Sequence, residues 1–276
     1  MIVSALLHAG IDLVLRLMEA RSVLRYKRDL LPVIFTLSIS VIQFTLFFFV
    51  EPVWVVLAAV LVIFPFQCSA IAVNHNHHHL NTFTGRGLNR VFESLLYFQT
   101  GASPYSWTLH HNIGHHKHYL DQAQDTSRWK KKDGRVMRRL EYSVFNSIMI
   151  YPEIVRVGRQ YPKIFKKFVR MFMINNIVLL ALIVLDPLKA LIIFILPMLV
   201  MLYLLVDATY GHHAGLDTDD PFEASTNKLS KFYNLRTFNL GYHTAHHLKP
   251  GVHWTKLPEL HEEIEDKIPE ALISGS

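Results

Sequence analysis

Apolar positions gather in four unbroken runs, at 31–50, 53–73, 172–185 and 188–210, separated by polar and basic stretches. A bilayer core about 30 Å thick takes roughly 20 helical residues, so these runs predict four membrane spans. The run at 172–185 is short, and the residues just before it complete it. Between the paired runs stand Glu51–Pro52 and Asp186–Pro187. Proline suits the first helical turn, where its missing N–H costs nothing, and pushes the residue before it out of helical geometry. The pattern predicts two tight hairpins. Internal Pro65 and Pro197 predict kinks in the second and fourth helices.

Charge sets the orientation. The two hairpin turns contain Glu51 and Asp186 and no basic residue, whereas residues 74–170 contain sixteen Lys and Arg. The positive-inside rule then places both termini and the central region in the cytoplasm. A net charge of +6, with basic residues flanking apolar runs, favours an anionic membrane surface over nucleic acid. Cys68, the one cysteine, excludes an internal disulfide and reads as a small core residue. Residues 1–30 read as an amphipathic helix lying in the interface, and 88–109 and 140–170 as amphipathic cover on the cytoplasmic face.

Histidine is distributed as unevenly as the apolar residues. Fourteen of seventeen fall in four windows, 75–79, 110–118, 212–213 and 243–247. At ~1.5 Å per residue, Pro52 to His75 and Pro187 to His212 are about 35 and 38 Å of helix. Both helices therefore carry histidines just beyond the membrane face. Within "HNHHH", His75 and His79 share one helical face; His78 is a weaker ligand and His77 points elsewhere. In "HHNIGHHKH", His111 and His115 share a face and His116 points about 100° away, so one short helix could feed two ions. His110 and His118 are spare, and Gly114 removes bulk where something must approach. In "HTAHH", His243, His246 and His247 repeat the arrangement. At the end of the fourth run His212 is the favoured ligand and His213 the fallback. Asp207 in that run and Asp125 after the second window are candidates to orient a ligand imidazole. The favoured set is nine imidazoles, more than one tetrahedral zinc uses. Imidazole also serves zinc, copper and nickel, so ligand type alone does not select iron. The basic loop "RWKKKDGRVMRR" reads as a solvated face near anionic lipid or a dock for an acidic partner.

The three boxes "HNHHH", "HNIGHH" and "HTAHH", in this order and with spans before the first and between the second and last, resemble the membrane fatty acid desaturases and the related lipid hydroxylases and ketolases. The resemblance runs from about residue 31 to 262 and includes the downstream "KPGVHWTKLPELH". It implies a cytoplasmic di-iron centre on His75, His79, His111, His115, His116, His243, His246 and His247, with a further ligand at His212 or His213. It also implies O2 as co-substrate, a lipid or acyl substrate, and hydrogen removal from an unactivated C–H bond. The chain holds no cytochrome b5-like domain, so a separate electron donor is expected, of ferredoxin, rubredoxin or cytochrome b5 type with its reductase. The first box has extra histidines compared with the family pattern, which blurs its binding pair.

The expectation is an all-α integral membrane protein of one desaturase-like domain, residues 1–276, in a bacterial inner membrane. Hairpins at 31–73 and 171–210 would carry a cytoplasmic helical cap built from 74–170 and 211–276. Its expected activity is insertion of a double bond into an acyl chain, with hydroxylation or ketolation by the same centre as the near alternative. A membrane metal transporter or sensor is the distant one, because transport needs polar residues through the bilayer midplane. Here the histidines gather at one face.

Overall fold

The computed structural model describes residues 23–275, which are mostly helical. The interfacial helix expected over 1–30 lies outside the described residues up to residue 22. Helix α1 (Leu30–Phe49) turns at Val50–Pro52 into α2 (Val53–Gln67). Pro52 is the residue before the helix rather than its first, and its carbonyl accepts from Val55 and Val56. After two residues α3 (Ala70–His79) continues, bent from α2 by 44°. Pro65 explains the break: without an N–H it leaves the α2 end under-bonded. The Pro65 carbonyl accepts instead from the Arg236 guanidinium.

Helix α4 (Arg86–Thr100) and a π-helical turn α5 (Thr108–His115) follow. Then come α6 (Arg139–Gln160), α7 (Pro162–Leu185) and α8 (Pro187–His213). Pro162 opens α7 well before the expected start at 171, so 162–170 belong to a long apolar helix. Asp186 caps α8, its side chain accepting from the Lys189 backbone N–H at 2.9 Å, and Pro187 takes the first turn. Pro197 does not break α8. Residues Leu191–Ile195 widen into a π turn just before it, and the Leu196 N–H reaches back to the Leu191 carbonyl.

Three helices, those at Lys27–Phe49, Pro162–Leu185 and Pro187–His213, are long and apolar enough to cross a membrane, and the bent α2–α3 pair makes a fourth if it is one span. Their outer faces are apolar and open. Phe49 is 78% exposed and Val184 75%, as suits lipid contact rather than water.

Helix α4 is wedged against this bundle by buried amides. The Gln99 side chain donates to the Thr36 carbonyl and the Ser40 hydroxyl of α1, both at 2.8 Å, while Gln67 of α2 donates to the Gln99 carbonyl at 2.8 Å. Unpaired, such amides would be costly at that depth. Gly101 ends α4 at φ 76°, and a Cβ there would meet the Met198 carbonyl at 3.0 Å. After α8 a two-residue strand β1 (Asn227–Lys228) pairs in parallel with β2 (Ile273–Ser274), flanking α9 (Lys231–Thr237), α10 (His243–Leu248) and α11 (Leu257–Glu262). The histidines of α3 and α8 lie at the helix ends remote from both hairpin turns, and α5 and α10 meet them there.

Candidate metal centre

On α3, the regular helix brings the His75 and His79 rings to 4.9 Å between centroids. His77 faces the other way, with Nδ1 2.9 Å from Thr82 Oγ1 and Nε2 3.2 Å from Glu93 Oε1. His78 donates through Nδ1 to the Asn74 carbonyl at 2.8 Å.

The second window adopts a register that spacing on an α-helix does not give. Residues Thr108–His115 wind as a π-helix, and the His116 N–H donates to the His111 carbonyl at 2.8 Å, five residues back. The wider turn puts His111 and His116 on one face, with their Nε2 atoms 3.0 Å apart. His115 turns toward Asp125, and its Nδ1 lies 2.9 and 3.1 Å from the two carboxylate oxygens. That contact fixes the proton on Nδ1 and leaves the Nε2 lone pair toward the cluster. Gly114 is packed on Thr126, where a Cβ would fall 2.3 Å from Cγ2. Thr126 in turn donates to the His110 carbonyl at 2.7 Å.

Eight imidazoles converge in two groups. His75, His79, His111, His116 and His246 form one, and His115, His213 and His247 the other; within each, one ligand atom per residue lies within 4.8 Å of all the rest. The groups adjoin, since the His116 and His247 rings stack at 4.2 Å. His246 Nε2 is 3.1 Å from His116 Nε2. The buried Nε2 atoms of His79 and His115 and both ring nitrogens of His247 have no hydrogen-bond partner. Buried polar atoms without partners are costly unless a further group satisfies them. Burial, with neighbouring imidazoles adding to it, holds His111, His116, His246 and His247 well below the usual imidazole range. Neutral imidazoles with converging lone pairs are the form that binds a metal.

His213, the fallback, stands in the second group and donates from Nδ1 to the Ala224 carbonyl at 2.9 Å. The favoured His212 does not reach it: Nδ1 meets the Thr226 carbonyl at 2.8 Å and Nε2 the Tyr233 hydroxyl at 3.1 Å, so both nitrogens are engaged. His243 flanks the second group, Nε2 3.0 Å from that of His213. Asp207 accepts from Arg139 Nε and from the Ser143 hydroxyl, each at 2.8 Å, and its hydrogen bonds hold no imidazole. Its expected role as an orienter gives way to tying α8 to α6. Buried His110 lies outside both groups with neither ring nitrogen bonded, its pKa pushed down to about 4 by burial. His118 joins neither group.

Two aromatic neighbours escaped sequence reasoning. Trp107 stacks on His111 at 4.5 Å, and Tyr119 lies 4.4 Å from the His247 ring. Trp107 stands four residues before His111, a signal that helical spacing carries; nothing in the spacing marks Tyr119.

Apolar helices with open outer faces, capped at one end by converging buried imidazoles, define an integral membrane protein with a polyhistidine metal site. The family model described as "Fatty acid desaturase" matches residues 52–274. This is most of the chain, and the protein belongs to that family. No curated protein matches it.

Proposed function

We propose that this protein is an O2-dependent di-iron oxidoreductase that introduces a double bond into an acyl chain of a membrane lipid or acyl thioester. One observation carries the reading: eight imidazoles, in two adjoining groups, gathered where apolar helices end. His75, His79, His111, His116 and His246 would supply one iron and His115, His213 and His247 the other, with His243 completing the second. His213 takes the place expected of His212. When bound, the pair of irons supplies O2 activation strong enough to remove hydrogen from an unactivated C–H bond.

The chain's own residues do the rest. Asp125 and the Ala224 carbonyl hold His115 and His213 in the tautomer that offers Nε2. Trp107 packs on the His111 ring and Tyr119 on that of His247. Electrons come from a separate donor protein. Crossing four times, with α2 and α3 as one bent span, puts both hairpin turns outside and every histidine window in the cytoplasm. Reporter fusions at residues 51 and 186 test this, and a cytoplasmic result at either breaks the arrangement.

The reaction itself is tested by expressing the chain in a host and weighing the extracted lipids. A loss of two hydrogens per chain is the expected result. A gain of one oxygen would assign hydroxylation to the same centre. Unchanged lipids, with zinc and no iron in the purified protein, would overturn the oxidase reading.

A further inference from the structure

Desaturation needs protons as well as electrons: R–CH2–CH2–R′ + O2 + 2 e− + 2 H+ → R–CH=CH–R′ + 2 H2O. The histidine groups are buried, so those protons need a route. A His–Asp pair that the metal site does not use lies beside them. His253 is buried, and its Nδ1 accepts from the Thr255 backbone N–H at 3.4 Å and lies 2.8 Å from the Thr255 hydroxyl. An accepting Nδ1 puts the ring proton on Nε2, which donates to Asp29 Oδ1 at 3.0 Å. Trp254 Nε1 donates to the same oxygen at 2.9 Å. Asp29, just before α1, is 5% exposed. A cavity of about 20 Å³ bounded by Asp29, His77, His79, His246 and His253 separates the pair from the first histidine group. That volume holds one water, and its walls offer the polar partners a water needs.

We propose that Thr255, His253 and Asp29 relay protons from solvent to the metal centre through a water in this cavity; the inference rests on the oxidase reading above. Thr255 is half-buried and meets solvent. A proton arriving at His253 Nδ1 releases the one on Nε2 to Asp29, and Asp29 passes it to the water. Tyr26 stacks on the His253 ring at 4.1 Å. His77, His79 and His246 line the same cavity as Asp29. The cations near the pair in sequence, Arg25, Lys27, Arg28 and Lys256, are exposed to solvent. A mere tie between the chain's two ends would need neither a titratable pair nor a shared cavity with His79 and His246.

The test uses the metal-loaded full chain in membranes and compares His253→Ala, His253→Gln, Asp29→Asn and Trp254→Phe. Trp254→Phe removes a donor to Asp29 but no titratable group. Proton uptake on anaerobic reduction, followed with a pH indicator, needs no substrate or O2. Uptake and turnover should each slow at least tenfold in both His253 variants and in Asp29→Asn, with metal content kept, and added imidazole should restore His253→Ala. Trp254→Phe should stay near wild type. Unchanged uptake in the His253 and Asp29 variants overturns the relay. So do losses that Trp254→Phe matches and imidazole does not rescue. A wild-type protein that neither takes up protons on reduction nor alters any lipid overturns the oxidase reading, and the relay falls with it.

Discussion

His115 Nδ1 lies within hydrogen-bond distance of both carboxylate oxygens of Asp125, at 2.9 and 3.1 Å, with both side chains buried. The same carboxylate accepts the Ser127 backbone N–H at 2.8 Å, which fixes its own orientation. An anion facing Nδ1–H keeps that nitrogen protonated and raises the basicity of Nε2. Asp125→Asn removes the charge with little change of shape. It should lower metal affinity roughly 10–100-fold, read by titrating metal into the purified variant, while the protein stays folded. Metal affinity equal to wild type would mean that Asp125 merely shapes its loop.

How much of this was legible in the sequence depended on whether local geometry stayed regular. The apolar runs and the "EP" and "DP" turns marked the hairpins because length and proline chemistry act locally. His75 and His79 were legible because α3 is an ordinary helix there. His111 and His116 were not paired in advance, since spacing on a regular helix does not show the π turn that joins them, a turn that carries Gly114 packed on Thr126, twelve residues further along the chain. The choice of His213 over His212 rests on Tyr233 and Ala224, contacts that form only after the chain returns from α8. The histidine and aspartate at 253 and 29 meet across nearly the whole chain, beyond the reach of any spacing rule.

His212 and His213 make opposite predictions although they are adjacent. His213→Ala deletes a nitrogen from the three-histidine group, so bound metal should fall toward half, with turnover lost because the centre works as a unit. His212→Ala deletes a ring bonded to Thr226 and Tyr233, so it should lower thermal stability yet leave the metal in place. Elemental analysis of both purified variants decides. Metal loss in His212→Ala with retention in His213→Ala would reverse the assignment.

Gly114 is the tightest point of the site. An added methyl would fall 2.3 Å from Thr126 Cγ2 and 2.7 Å from its Oγ1, closer than real contacts allow. Gly114→Ala should therefore displace Thr126 or unwind the π turn, separating His111 from His116. The expected result is a lower melting temperature and a marked loss of bound metal. Thr126→Ala removes both close atoms but also the bond to the His110 carbonyl. The double variant should hence recover part of the Gly114→Ala loss, a coupling that appears in a double-mutant cycle. Strictly additive losses would show that Gly114 serves some other purpose.

Acid should separate the metal-free from the metal-loaded protein. Burial is the main force holding His111, His116, His243, His246 and His247 well below their ordinary 6.5, and it brings His110 to about 4. The sign follows from proton counting. Below pH 6.5 the unfolded chain binds protons at these six side chains while the folded one does not, so folding stability falls as pH falls. The contribution is fully present above 6.5 and drains away toward the depressed folded values, for His110 until about 4. Each group adds at most about 1.4 kcal/mol per pH unit to the slope, and several titrate together, so the decline should be steep. Metal binding occupies nitrogens of these same side chains, His110 excepted, and favours the folded form by mass action. Melting curves in detergent between pH 7.5 and 5, with and without iron(II) under anaerobic conditions, check this. The metal-free protein should lose stability sharply below 6.5, and the loaded protein should hold its melting temperature to lower pH before it too declines. Parallel curves for the two forms would mean that the clustered histidines do not hold the metal.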